Sequence, residues 1–292
     1  MPEPKQLRGV FGPGSNHWVG DGFPVRNLFP SNGVESDISP FLMLDYAGPA
    51  YFPPSSQPRG VGEHPHRGFE TVTIAYQGSV DHRDSAGNSG TINPGDVQWM
   101  TAASGIVHEE KHGREFTQGG GNFEMVQLWV NLPKAHKMSA PRYQSILREE
   151  IPVVVLGQGA TARVIAGELQ GVTGPAHTFT PLNVIDLHLV AGTQVHLPLP
   201  AGHNAALVLL RGGILVNGTN AAKGEAQMAL LSRAGDFVEI EAEQDTTLLA
   251  LTGEPIDEPV VSHGPFVMNT REEISQAMND YRSGKMGRLT DS

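Results

Sequence analysis

The chain has 292 residues, room for two domains that each bury a core. It contains no cysteine, which excludes disulfides, thiolate metal ligands and a cysteine nucleophile. A net charge of −11 argues against direct nucleic-acid binding, and no apolar run approaches the roughly 18 residues of a membrane span.

The polar start lacks the apolar stretch of a signal peptide, so a cytoplasmic location is expected. Residues 69–76 alternate Val72, Ile74 and Tyr76 against Thr71, Thr73 and Ala75, the period of a strand. Strand-like runs follow at 96–100, 123–132, 153–156 and 163–166. More come at 184–190, 206–210, 214–216, 228–231, 237–240 and 247–251. Turn-forming clusters such as 84–90 and 217–220 separate them, and Gly 35 and Pro 22 supply the punctuation. Many short strands with turns predict an all-β chain, sandwich or barrel. The densest basic cluster, Lys134, His136 and Lys137, reads as a solvated loop after Pro133. One helix is predicted near the C-terminus. Thr270 and Glu273 form a capping box, Ile274, Ala277, Met278 and Tyr281 share a face, and Gly284 stops it. So short a helix needs a surface to pack on, so it is expected to strap a barrel, with residues after Lys285 loose.

An internal repeat organises the chain. Residues 64–78 align without gaps on 198–212, with Gly68 on Gly202, and Asn-Pro-Gly-Asp-Val (93–97) is echoed by Arg-Ala-Gly-Asp-Phe (233–237). Two copies of one β-domain are expected, 1–140 and 141–292, joined by a connection from about 133 to 152. His64 and His66 become Pro198 and Pro200 in the second copy, and the strand after Asp236 has no histidine. One copy keeps ligands where the other keeps scaffold.

In a strand, residues i and i+2 share a face. His64 with His66, and His108 with Glu110, are two such pairs, able to surround one ion with three imidazoles and a carboxylate. Pro65 suits a rim position and stiffens the first pair. Glu70 is an alternative carboxylate ligand. Otherwise it is a second-sphere group or a partner in a barrel salt bridge. His112 shares the parity of His108 but lies farther along, and is read as second-sphere or as a surface imidazole. Glu109 has the opposite parity and should face away.

Five motifs carry a family resemblance: His-Pro-His-Arg-Gly-Phe-Glu-Thr-Val (64–72), Asn-Pro-Gly-Asp-Val-Gln-Trp-Met-Thr-Ala (93–102), Gly-Ile-Val-His-Glu-Glu (105–110), Gln-Leu-Trp-Val-Asn-Leu-Pro (127–133) and Gly-Pro-Phe-Val-Met-Asn-Thr (264–270). The chain resembles the pirins, two-domain members of the cupin superfamily, over almost its entire length. The resemblance implies a bicupin fold: two tandem cupin β-barrel or jelly-roll domains with a short C-terminal helix. It places one iron on His64, His66, His108 and Glu110, favouring Glu110 over Glu70. The second general cupin motif is unmatched around Ala102, Ala103 and Ser104, itself a pirin-like departure.

Such a ligand set leaves open positions on a six-coordinate ion and resembles the face of non-haem iron oxygenases. Fe(II) is expected; Mn, Ni, Co or Zn can occupy the same ligands. The resemblance implies a quercetin 2,3-dioxygenase activity on a small aromatic enol or flavonol, with Glu110 as catalytic ligand or proton acceptor. Phe69, Met125 and Trp129 then form apolar walls, or else core. The alternative function is a non-catalytic, metal- or redox-responsive regulator that binds a protein partner. Isomerase or hydrolase chemistry at zinc is a third reading.

Overall fold

Period-two alternation becomes antiparallel β-structure through most of the chain. The computed structural model describes residues 1–14, 16–30 and 35–289, with short α-helices at Glu35–Ile38 and Arg114–Gly119 and a longer one at Arg271–Arg282. Residues gather into two compact units. One takes Ser15–Arg26, Met43–Arg148 and Ile256–Ser292; the other takes Met1–Gly14, Asn27–Leu42 and Glu149–Pro255. The halves 1–140 and 141–292 follow the order of the repeats. In space each unit also draws segments from the other half of the chain.

In the first of these units, seven strands lie in the order Arg142–Ile146, Val97–Thr101, Phe69–Gln77, Gly121–Asn131, Phe41–Phe52, Phe23–Phe29 and Asn16–Val19. A four-stranded sheet, Gly60–His66, Ile106–His112, Val80–Asp84 and Ser89–Ile92, lies opposite. Register assigns the faces. Thr71 pairs with Met100 and Trp129, and Thr73 with Gln98 and Gln127. These residues look across to the four-stranded sheet, because Thr73 bonds Glu110 and Trp129 packs on His66. Glu70, Val72 and Ile74 point the other way, with Trp99 and Leu128. Both faces of this strand are buried from Phe69 to Ala75, so its polar residues, Glu70, Thr71 and Thr73, are buried as well.

The C-terminal helix forms as its capping residues dictate. Thr270 Oγ1 accepts from the Glu273 amide at 3.2 Å, and Glu273 Oε2 accepts from the Thr270 amide at 3.0 Å. Ile274 and Ala277 join Val107, Phe266, Met268 and Met286 in one apolar cluster. Two expectations need correction here. Tyr281 is exposed, and Asp280 takes the buried place because Arg67 donates to it at 2.9 Å. The stretch just beyond Lys285 is not loose: Met286 is buried, and its carbonyl accepts from Ser85 Oγ at 2.7 Å, while residues 290–292 lie outside the described residues.

The other unit is a nine-stranded sheet curled around Val, Leu, Ile and Ala. Strand Leu7–Phe11 pairs with Thr219–Leu231. Buried Lys5 gives its ammonium to the carbonyls of His203, Ser232 and Arg233 at 2.8–3.3 Å. The second echo of the repeat joins positions that are not equivalent. Val97–Thr101 pairs with Phe69–Gln77, whereas Phe237–Ala242 pairs with Gln194–Pro198. By pairing, the counterpart of Phe237–Ala242 is Ile106–His112, which lies beside Gly60–His66. The loss of histidine is unaffected, since Phe237–Ala242 contains none. No helix among the described residues is long and apolar enough to cross a membrane.

Candidate metal centre

Strands Gly60–His66 and Ile106–His112 run antiparallel with His64 opposite His108 and His66 opposite Ile106. A bulge follows: Glu110 stands opposite Val61, so the extra residue lies in the Gly60–His66 strand. Against its other neighbour the Ile106–His112 strand is regular, with His108 opposite Asp84 and Glu110 opposite His82. His108 and Glu110 therefore enter the interior from the same face.

Three imidazoles converge. Ring centroids lie 4.8 Å apart for His64 and His66, 4.2 Å for His64 and His108, and 4.8 Å for His66 and His108. One nitrogen of each ring lies within 4.8 Å of the others. His64 Nδ1 lies 2.8 Å from the Gly62 carbonyl, which can only accept, so Nδ1 carries the hydrogen and Nε2 is free. Nδ1 of His66 and both ring nitrogens of His108 are buried without a partner. Neutral nitrogens left unsatisfied away from water are costly unless a ligand takes them. Burial lowers the proton affinity of all three rings, well below the usual value for His66 and His108, and each ring adds to the repulsion felt by the next. A cluster of deprotonated imidazoles with free nitrogens fits a divalent metal.

Glu110 enters the same interior but stands outside this group. Its Oε1 accepts from Thr73 Oγ1 at 3.3 Å, and burial pushes its carboxyl up to about 7. Glu70 is on the opposite face of its strand, accepts from Thr101 Oγ1 at 2.7 Å, and is likewise pushed up to about 7 by burial. It cannot reach the imidazoles. Glu109 faces outward and accepts from Arg83 Nε at 2.6 Å. His112 corrects the expectation of a surface imidazole: it is buried, stacks on Phe123 at 4.7 Å, and bonds the Gly22 carbonyl through Nε2. Phe69 and Trp129 pack on His66 with centroids 5.1 and 5.3 Å away, whereas Met125 belongs to a separate apolar cluster with Phe23 and Phe123.

Sequence reasoning missed several neighbours of the site. Gln98 and Gln127 surround Thr73, and His82 bonds Tyr143 Oη at 2.5 Å. The parity of Gln127 with Trp129 was the available signal. Lys137 overturns the solvated-loop reading. It is buried, and its ammonium donates to the Gly68 carbonyl, Asn131 Oδ1 and the Val267 carbonyl at 2.6–3.0 Å.

Comparison with known proteins decides the family. Residues 22–130 match the Pirin family and residues 184–287 match the Pirin C-terminal cupin domain. The chain belongs to the pirin family. A Pseudomonas aeruginosa relative, provisionally named a quercetin 2,3-dioxygenase, is 56% identical over 282 residues, covering 96% of this chain and 98% of its own. A pirin-like protein of Solanum lycopersicum is 40% identical over 270 residues, covering 92% and 88%. The crystal structure of a quercetin 2,3-dioxygenase from Acinetobacter baumannii superposes with a TM-score of 0.96 at 52% identity, covering 99% of this chain and all of that one. The bicupin architecture of this pirin is therefore shared with solved relatives. Its imidazole cluster lies wholly in the part matched by the first pirin domain.

Proposed function

We propose that this pirin is a metal-dependent dioxygenase cleaving a flavonol such as quercetin at one Fe(II) held by His64, His66, His108 and Glu110. The observation that carries this reading is the convergence of three imidazoles, two of them with buried, unpartnered nitrogens, on an interior that the Glu110 carboxyl also enters. Nitrogen and oxygen donors in that number resemble the 2-His-1-carboxylate face of non-haem oxygenases with one further imidazole. The names of the P. aeruginosa and A. baumannii relatives lend support. When bound, the ion supplies Lewis acidity toward an enol oxygen and redox chemistry toward dioxygen.

The chain's own groups do the rest. His64 is the ring of the three that is only partly buried, so it marks the side of entry. Phe69 and Trp129, 4.2 Å apart at 32°, wall His66 with apolar surface and exclude water there. Glu110, as a buried carboxyl group entering the same interior, is placed to hold the ion or to accept the hydroxyl proton of an enol.

Anaerobic loading with Fe(II), followed by quercetin and labelled dioxygen, tests the reading. Both labelled atoms should enter the organic product, with carbon monoxide released. His66→Ala should abolish turnover, while His203→Ala in the other unit should leave it intact. Flavonol binding without metal-dependent oxygen uptake would sink the proposal.

A further inference from the structure

Thr73 Oγ1 sits among three oxygens: Gln127 Oε1 at 2.7 Å, Glu110 Oε1 at 3.3 Å and Gln98 Oε1 at 3.5 Å. A hydroxyl has one hydrogen and cannot donate to all of them. All four side chains are buried, so an acceptor left unmet here is costly. An amide carries an acceptor and a donor on one carbon, and a half-turn exchanges them. An ionised carboxylate has no such choice; it only accepts. The side-chain nitrogen of Gln98 is itself buried without a partner. Turning that amide toward Thr73 gives the hydroxyl a donor and leaves Gln98 Oε1 facing the Tyr143 hydroxyl, which can donate to it. Gln127, turned the same way, gives it a second, matching its two lone pairs. The hydroxyl hydrogen is then committed to the neighbour that cannot donate, which is Glu110, and the chain of bonds is polarised in that direction.

We propose that Thr73 anchors Oε1 of Glu110, leaving Oε2 as the single carboxylate donor to the metal, with Gln98 and Gln127 setting the direction of the anchor. Glu110 Oε2 makes no hydrogen bond among the described residues. This rests on Glu110 being the fourth ligand. Thr73 touches no ion and is a positioning residue. Partners of this kind commonly change metal affinity 10–100-fold, roughly, when removed.

The test uses the full chain and Zn(II), titrated against a competing chelator. Thr73→Val keeps the branched shape and removes the hydroxyl; it should weaken binding by roughly 10–100-fold, whereas Thr73→Ser should stay close to the parent. In Co(II)-substituted protein, the visible absorption bands should shift in Thr73→Val and be restored in Thr73→Ser. The decisive arm is a double-mutant cycle: in a Glu110→Gln background, Thr73→Val should cost nothing further. An equal loss in both backgrounds would show that Thr73 acts through the fold and overturn the anchor. If Glu110→Gln weakens binding while Thr73→Val does not, the anchor alone is overturned. If Glu110→Gln leaves affinity unchanged, the ligand assignment falls, and the anchor with it.

Discussion

Glu70 and Glu110 are a matched pair of buried carboxyls on strands of the same unit, both pushed up to about 7 by desolvation. What separates them is the face they occupy. A carboxyl whose proton affinity is raised on folding contributes stability that is present below its unfolded pKa and lost as pH rises through about 7. Ionising such a group in place costs roughly 3 kcal/mol for a shift of that size. Metal-free Glu70→Gln should therefore be more stable than the parent at pH 8, with the gap closing toward pH 5, as read by urea denaturation. Glu110→Gln should show the same alkaline gain, yet it alone should lose metal affinity. The histidines run in the opposite sense. Their proton affinities are lowered by burial, so their contribution is present above about 6.5 and is lost as pH falls through the depressed values. Bound metal adds to this, because protons compete for three rings at once. Metal retention followed by dialysis across descending pH should collapse in that range; retention undiminished at pH 4 would refute it.

Among elements, the C-terminal helix shows what a sequence pattern can and cannot disclose. Its capping box was legible because both partners lie within four residues. The i, i+2 ligand pairs were legible for the same reason: strand geometry fixes such neighbours without reference to the rest of the fold. What the helix packs on was not legible, nor that Asp280 would face inward to meet Arg67. Lys5 and Lys137 are similar. A lysine is read as solvated unless three acceptors are known to surround it, and here those acceptors come from carbonyls scattered along the chain. The local and the long-range terms can be separated by measurement. Thr270→Ala should cost about 1 kcal/mol, the ordinary loss of a cap. Asp280→Ala should cost more, roughly 3–5 kcal/mol, because among the described residues it leaves the buried Arg67 guanidinium with the Ser104 carbonyl alone. Denaturation of the metal-free protein gives both values, and equal losses would show that Arg67 finds another partner.

For the whole molecule, one barrel carries the imidazole cluster and the other is packed with aliphatic side chains. Metal should bind at one equivalent per chain, and a second equivalent surviving dialysis would contradict this. Binding should slow hydrogen exchange along Gly60–His66, Phe69–Gln77 and Ile106–His112, and also in the distant Phe266–Met268 and Arg271–Arg282, which belong to the same unit. Strands Leu182–Leu189 and Thr246–Gly253 should be unchanged. Protection confined to residues before 148 would mean that the last segment is not part of the metal-holding body.

That last segment bears on how the protein is made. A ribosome delivers the chain from its N-terminus. The strands bearing His64, His66 and His108 are complete by residue 148, but Phe266, Met268, Ile274 and Ala277, which cover Val107 beside His108, emerge only after about a hundred further residues. Until then Val107 lacks the apolar side chains that cover it. The unit that carries the imidazole cluster thus gains its last strand pair and helix only after the intervening residues have been made.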